Sequence, residues 1–326
     1  MRAKIACIGA GRMGRGIAHC VAHAGYPVTL LDAKSRDGAE FAAFAEGALA
    51  DVRGALEGMV AIGAFAPEAV PVILARVSVL PLERAAEALA GAAFVFEGVP
   101  EVKAPKAEAF ALFDAHADAG AVLASTTSTM LSTELAGLTA RPEAFLNAHF
   151  LNPAFLVPLV EVSPSDRTSE EALASLKGFL EAIGKVPVVC KASPGYIVPR
   201  IQALAMNEAA RLVEEGVASA EDVDRAVKYG FGFRFAVLGL LEFIDWGGGD
   251  ILYYASRYMA QAMEDPRFEA PAIVKRNMEE GRIGMKTGAG FLDYDGRDLD
   301  AYRQSRMADF LKMLEGAGMV RPPVLD

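Results

Sequence analysis

The sequence predicts an α/β fold: a Rossmann-type N-terminal domain followed by a mostly helical C-terminal domain. Short apolar runs alternate with helical periods through the first half, and a glycine-rich turn follows the first of those runs directly. Beyond a turn at Ser193-Pro194-Gly195 the pattern becomes almost wholly helical. At 326 residues the chain is too long for one ordinary core. The change of character sets the expected domains at 1–192 and 193–326.

In chain order, residues 4–8 are a short apolar run and predict the first strand. Gly9-Ala10-Gly11-Arg12-Met13-Gly14 follows at once, with Gly16 beyond it, and residues 13–24 carry helical periodicity up to Gly25. A second apolar run, 27–31, closes at Asp32 and gives way to Ala-rich helical sequence. Further strands are expected at 94–97, 121–124, 148–150 and 159–162, with Val188-Val189 the last apolar run before the turn. Such alternation favours a parallel sheet covered on both faces. Helices are then expected at 197–215, 220–229, 251–263 and 303–316.

Composition narrows the function classes. With 53% hydrophobic and 23% charged residues, the chain is a folded globular protein rather than a disordered one. Its apolar runs are too short to span a bilayer, and Met1-Arg2-Ala3-Lys4 does not lead into the long apolar core of a signal peptide. Cys7, Cys20 and Cys190 show no paired or metal-type spacing, so a cytoplasmic protein is expected. A net charge of −10 without a basic stripe argues against a nucleic-acid partner. His19 and His23 would share a helix face, but the pair reads as structural or surface, and no metal is expected.

The glycine turn stands between a strand and a helix, the context in which GxGxxG binds a dinucleotide. Gly9 permits the tight turn, Gly11 lets backbone approach a pyrophosphate, and Gly14 lets the helix pack on the strand; Arg12 and Met13 complete the motif. The helix N-terminus favours the pyrophosphate's charge. Asp32 lies 23 residues after Gly9, close to the usual ~20 for an acid that takes the adenosine ribose hydroxyls. It would repel a 2′-phosphate, so NAD is expected rather than NADP. Arg36 pulls the other way, since a guanidinium pairs with phosphate.

His149 stands where one strand ends and Glu161 lies in the next, with a Pro-containing loop between that lets the two strands run side by side. A carboxylate on one ring nitrogen would fix the tautomer and leave the other nitrogen as a general base for an alcohol proton. On spacing alone, a buried histidine satisfied by a nearby acid accounts for the pair equally well.

The chain resembles the L-3-hydroxyacyl-CoA dehydrogenases, including the short-chain 3-hydroxybutyryl-CoA enzymes, over nearly its full length. The resemblance is carried by five segments: Glu101 through Lys106, Ser125-Thr126-Thr127-Ser128, His149-Phe150 with Asn152-Pro153 and Glu161, Ser193-Pro194-Gly195-Tyr196, and the run Gly284 to Phe291. It implies that residues 1–192 bind NAD, with Glu101 and Lys106 near the nicotinamide half, and that residues 193–326 serve substrate binding and homodimer formation. It makes His149 the general base and Glu161 its orienting partner, with Ser128 bonded to the reacting oxygen and Asn152 placing His149 and substrate. The implied reaction interconverts an L-3-hydroxyacyl-CoA and the 3-ketoacyl-CoA, as in fatty acid metabolism.

Three departures bear on the substrate. Pro199 stands where the family usually has an active-site Asn, and proline offers neither an amide side chain nor a backbone N–H. Residues 35–75, which in acyl-CoA members often carry lysines near the CoA phosphates, here hold Glu40, Glu46, Asp51 and Glu57 against Arg36 and Arg53. The run Gly230 to Ala236 is similar to the lambda-crystallin (L-gulonate dehydrogenase) and carnitine dehydrogenase branch. There Arg234 would pair with the carboxylate of a small free hydroxy acid, or else serve in a salt bridge between domains or subunits. The third expectation, an NAD-binding structural protein without turnover, sits poorly with the joint presence of Ser128, His149, Asn152 and Glu161.

Overall fold

A computed structural model describes residues 2–325. Its contacts divide the chain into two compact units, 1–204 and 205–326.

The first unit holds one eight-stranded sheet in the order β3-β2-β1-β4-β5-β6-β7-β8. Its strands are β1 (Lys4–Ile8), β2 (Val28–Leu31), β3 (Val77–Leu80), β4 (Ala92–Glu97), β5 (Val122–Ser125), β6 (Phe145–Phe150), β7 (Leu159–Pro164) and β8 (Val186–Val189). Neighbours pair in parallel except β6 and β7, which run antiparallel. The order reverses at β1, which pairs with β2 on one side and β4 on the other. A crevice at the carboxyl ends of such strands is where open α/β sheets bind ligands.

Both sheet faces are buried, and side-chain alternation sends successive residues to opposite cores. Ile5 and Cys7 join an apolar cluster with Ile17, Val21, Leu30 and Phe96, beneath α1 (Arg12–His23), α2 (Gly38–Ala61) and α3 (Ala69–Leu74). Ala6 and Ile8 join the other cluster with Val95, Phe110, Phe113 and Phe145, beneath α4 (Ala85–Leu89) and α5 (Lys103–His116). The short α6 (Ser132–Leu135) precedes β6, and α7 (Glu170–Ala182) joins β7 to β8 through the first cluster.

The strand β3 was not anticipated from the sequence. It is a four-residue edge strand, and only Val77 in it is fully buried, so it shows no strong apolar run. The division between units falls inside α8 (Val198–Glu214).

The second unit is helical: α9 (Ala220–Ala226), α10 (Phe233–Val237), α11 (Leu240–Gly247), α12 (Gly249–Ala262), α13 (Ala272–Glu279) and α14 (Leu299–Gly316). The helix expected over 220–229 keeps its α form only to Ala226 and then widens into a π-helix, Val227–Gly232. Gly232 sits where a Cβ would come within 3.1 Å of the Val227 carbonyl oxygen, so the crowded turn takes a residue without one. The Gly284 to Phe291 run wraps the buried Asp245 of α11. Phe291 and Leu292 donate backbone N–H bonds of 2.8 and 2.7 Å to its two carboxylate oxygens. A Cβ on Gly290 would lie 2.0 Å from that carboxylate, which gives this glycine a packing role. Among the described residues no helix is long and apolar enough to cross a membrane.

Candidate functional site

The glycine turn joins β1 to α1 and is built by steric exclusion. Gly9 has φ +105°, and a Cβ there would press on the Gly98 carbonyl oxygen at 2.8 Å. A Cβ on Gly14 would lie 2.0 Å from the Gly9 carbonyl oxygen. Gly11 differs, since a Cβ there would meet no protein atom within 4 Å. The chain therefore has no packing reason for glycine at 11, and the open cradle beside the first turn of α1 fits a pyrophosphate lying against backbone N–H groups. Arg12 begins α1 and is exposed, while Met13 behind it is partly buried on the first apolar cluster.

Asp32 follows β2 and is 3% exposed. Its carboxylate accepts from the Lys34 backbone N–H at 3.2 Å and from Arg36 Nε at 2.5 Å. The Arg36 guanidinium also lies 4.3 Å from the centre of the Phe44 ring. The one residue that argued for a phosphorylated ribose is thus held by the acid that argues against it. Next to Asp32 lies a mostly apolar pocket of about 510 Å³, walled by Ala33, Leu82, Val99, Pro100 and Leu112 with Lys34 and Glu108 at its polar positions, roomy enough for an adenine ring. Cradle, acid and slot together fit a dinucleotide.

A buried ionic network stands at the ends of β4 and β5. Glu97 is wholly buried and accepts from Val99 N at 2.8 Å, from Ser125 Oγ at 2.6 Å and from Lys106 Nζ at 3.0 Å. Lys106 is 1% exposed and lies 3.2 Å from Glu101 as well, so its ammonium bridges two carboxylates. Glu101 in turn accepts from the Thr127 hydroxyl, from the N–H groups of Ser128 and Thr129 at 3.2 and 3.1 Å, and from the Thr129 hydroxyl at 2.8 Å. Burial opposes its ionisation, but those hydroxyls and the Lys106 ammonium outweigh it and hold the carboxyl down at about 2. Glu101 is therefore a fixed anion clamping the loop that carries Ser128, and Ser128 itself is exposed.

His149 and Glu161 face each other across the antiparallel pair β6 and β7. His149 Nδ1 lies 2.9 Å from Glu161 Oε2, and Glu161 is completely buried. Its other oxygen accepts from Ile197 N and Val198 N at 2.9 and 2.8 Å, where α8 begins. The positive end of that helix stabilises the carboxylate. A carboxylate can only accept, so Nδ1 carries the hydrogen and Nε2 is left with a lone pair. Pro199 occupies the first turn of α8, where a missing N–H costs the helix nothing.

Asn152 is exposed on the loop after β6. It lines a pocket of about 450 Å³ together with Arg12, Arg15, His19 and Asp51. Arg15 there is ion-paired with Asp51. Arg234 lies in the second unit, apart from this group in the chain's division. It is exposed, donates from Nε to the Gly230 carbonyl at 3.1 Å, and pairs with no carboxylate among the described residues. The first unit thus carries Gly9, Gly11, Gly14, Asp32, Glu101, Lys106, Ser128, His149, Asn152 and Glu161: His149 and Glu161 pair across two strands, Glu101 joins Lys106 to the Ser128 loop, and the rest stand in the turns and helix starts around the sheet.

Three contributors escaped the sequence reading. Glu97 ends β4 as Asp32 follows β2, a lone acid closing an apolar run, and that was the available signal. Asn147 interrupts the otherwise apolar β6. Tyr196 was noticed only as part of a junction motif, and its ring stacks on His149 with centres 5.0 Å apart.

The family described as "3-hydroxyacyl-CoA dehydrogenase, NAD binding domain" matches residues 4–193, and "3-hydroxyacyl-CoA dehydrogenase, C-terminal domain" matches residues 195–294. The chain is 34% identical over 304 residues to the mitochondrial hydroxyacyl-coenzyme A dehydrogenase of Sus scrofa, covering 89% of this chain and 90% of that protein. It is 28% identical to the 5-formyl-3-hydroxy-2-methylpyridine 4-carboxylate 5-dehydrogenase of Mesorhizobium japonicum, covering 96% and 98%. Among solved structures it is similar to a 3-hydroxyacyl-CoA dehydrogenase from Archaeoglobus fulgidus, with a TM-score of 0.75 and 31% identity over 98% of this chain and 100% of that one.

Proposed function

The chain belongs to the 3-hydroxyacyl-CoA dehydrogenase family, and on that premise we propose that it interconverts an L-3-hydroxyacyl-CoA and the 3-ketoacyl-CoA with NAD, His149 acting as general base. The observation that carries this is the 2.9 Å bond from His149 Nδ1 to Glu161. With Nδ1–H held by a buried carboxylate, Nε2 is the basic atom, and the positive charge it gains on taking the alcohol proton is balanced by Glu161. Ser128 donates to the substrate oxygen from the loop that Glu101 clamps, and Asn152 orients the carbonyl end. Bound NAD supplies the hydride acceptor, held by the Gly9–Gly14 turn and Asp32.

A second substrate class has a specific observation behind it. The wall of the Asn152 pocket formed by α2 offers Asp51, Val52 and Ala55, and Arg15 in the same pocket is already matched by Asp51. With Arg12 the pocket's one other cation, that surface is a weak clamp for the CoA phosphates, and the alternative substrate is a small free hydroxy acid, with Arg234 the residue proposed for its carboxylate. The Mesorhizobium relative is named for a pyridine carboxylate, which agrees with this alternative.

The test is NADH consumption with acetoacetyl-CoA by wild type and by His149→Ala. Turnover lost in the variant while NADH still binds supports the first reading. No turnover by a wild type that binds NADH rejects the acyl-CoA substrate and turns the assay to free hydroxy acids with Arg234→Met. On this reading the enzyme is cytoplasmic, as its three free cysteines suit, and two copies would pair through the helical second unit.

A further inference from the structure

We infer that Tyr196 is a positioning residue that ties the general base to the loop carrying Ser128, so that both partners of the reacting oxygen are set by one side chain. The inference rests on the reading of His149 and Ser128 given above.

Tyr196 reaches both partners at once. Its ring lies nearly parallel to the His149 ring, tilted by 16° with centres 5.0 Å apart, so it fixes the plane in which Nε2 points. Its hydroxyl donates to the Thr127 carbonyl at 2.9 Å, one residue before Ser128. The same hydroxyl accepts from Asn147 Nδ2 at 3.0 Å, and Asn147 Nδ2 also donates to the Met130 carbonyl at 3.0 Å. A carbonyl can only accept, so the amide must present its NH₂ to Met130, which fixes its orientation and the direction of the chain of bonds. The loop 127–130 is thereby held from two sides: Glu101 takes its N–H groups, and Tyr196 with Asn147 takes its carbonyls.

The cost of this arrangement argues that it is used. Tyr196 has φ +45°, a left-handed conformation that bulky residues rarely adopt. It is 6% exposed, and burial, opposed by the Asn147 bond, raises its hydroxyl well above the usual range, so the hydroxyl stays a donor. The charges of Glu101, Cys190 and Glu161 each act in the same direction on that hydroxyl. A hydrophobic side chain would fill the volume without these bonds, so the hydroxyl is the informative part.

Tyr196→Phe removes the hydroxyl and keeps the stack, Tyr196→Leu removes both, and Asn147→Ala removes the partner. The expected result for Tyr196→Phe is kcat lower by roughly tenfold with the KM for NAD unchanged. Tyr196→Leu falls further, and Asn147→Ala combined with Tyr196→Phe falls below either single variant but by less than their sum, because each holds the loop by its own bond and the two share a third. Amide hydrogen exchange in the free protein is the second readout. The peptide spanning 126–130 should exchange roughly fivefold faster in Tyr196→Phe, with the strands unchanged. Unchanged exchange there overturns the link even where no substrate turns over, and faster exchange with wild-type kcat in an active enzyme overturns the positioning role. A wild type inactive toward acetoacetyl-CoA speaks against the proposed substrate and leaves the exchange measurement to decide on Tyr196.

Discussion

At the scale of single residues, the proposed base is set by a carboxylate with both oxygens engaged, which fixes His149 Nδ1 and leaves Nε2 free. Glu161 spends one oxygen on the start of α8 and the other on His149. Replacing Glu161 with Gln keeps the shape and reverses one end. An amide whose oxygen still faces the two N–H groups turns its NH₂ toward His149, so Nδ1 must accept and the hydrogen moves to Nε2. The proposed base is then blocked, and kcat should fall by about a hundredfold or more while NADH affinity holds, as steady-state kinetics beside a fluorescence titration would show. A different histidine makes stability depend on pH. His19 is 3% exposed, and burial, then His23 and Lys185, lower it to about 4. Its unfolded value is near ~6.5, so between those limits the unfolded chain binds a proton that the folded one refuses. Stability is therefore full above ~6.5 and falls as pH drops toward 4, by up to about 3 kcal/mol. Melting temperatures of wild type and His19→Phe from pH 7.5 down should converge in slope if this histidine is responsible for none of it, and the variant should be flatter if it is.

At the scale of elements, the strand–turn–helix unit separates glycine as structure from glycine as ligand surface. Gly14→Ala places a methyl 2.0 Å from a backbone oxygen and should lower the melting temperature by several degrees. Gly11→Ala meets nothing and should leave the melt intact while weakening NADH binding at least about tenfold. A Gly11→Ala protein that binds NADH normally would remove the cradle from the cofactor site. This unit was legible in the sequence because all its constraints are local: strand, turn, helix and Asp32 lie within one βαβ stretch. The His149–Glu161 pair was legible for a similar reason, since a short loop between two apolar runs lets them lie antiparallel in register. The Tyr196–Asn147 bond was not, because it joins residues 49 apart through the sheet order, which no local period encodes. The edge strand β3 and the π-helical turn after α9 were missed on different grounds. One is too short and too exposed to show a pattern, and the other keeps helical composition while changing its hydrogen-bond step.

At the scale of the whole molecule, the two units are unequal in what they bury. Both apolar clusters lie in the first unit, whereas among the described residues of the second the buried apolar side chains are Val223, Leu238, Val274, Met285 and Tyr294. Its apolar surface is organised as well as exposed. Ile251, Tyr254 and Tyr258 on α12 are 62%, 59% and 72% exposed at helical spacing i, i+3, i+7, and Met307 and Leu311 make a similar pair on α14. A unit with so thin a core and striped apolar faces gains stability by covering them, and the proposed cover is a second copy of the chain, which carries the same stripes. Sedimentation should therefore give twice the monomer mass at micromolar concentration. Two acids set into the α12 stripe, Tyr254→Glu with Tyr258→Glu, should shift the species toward monomer and lower the melting temperature, with the His149 site left intact in sequence. If the wild type sediments as a monomer, or if the double variant remains a dimer, that stripe is not the surface through which copies pair.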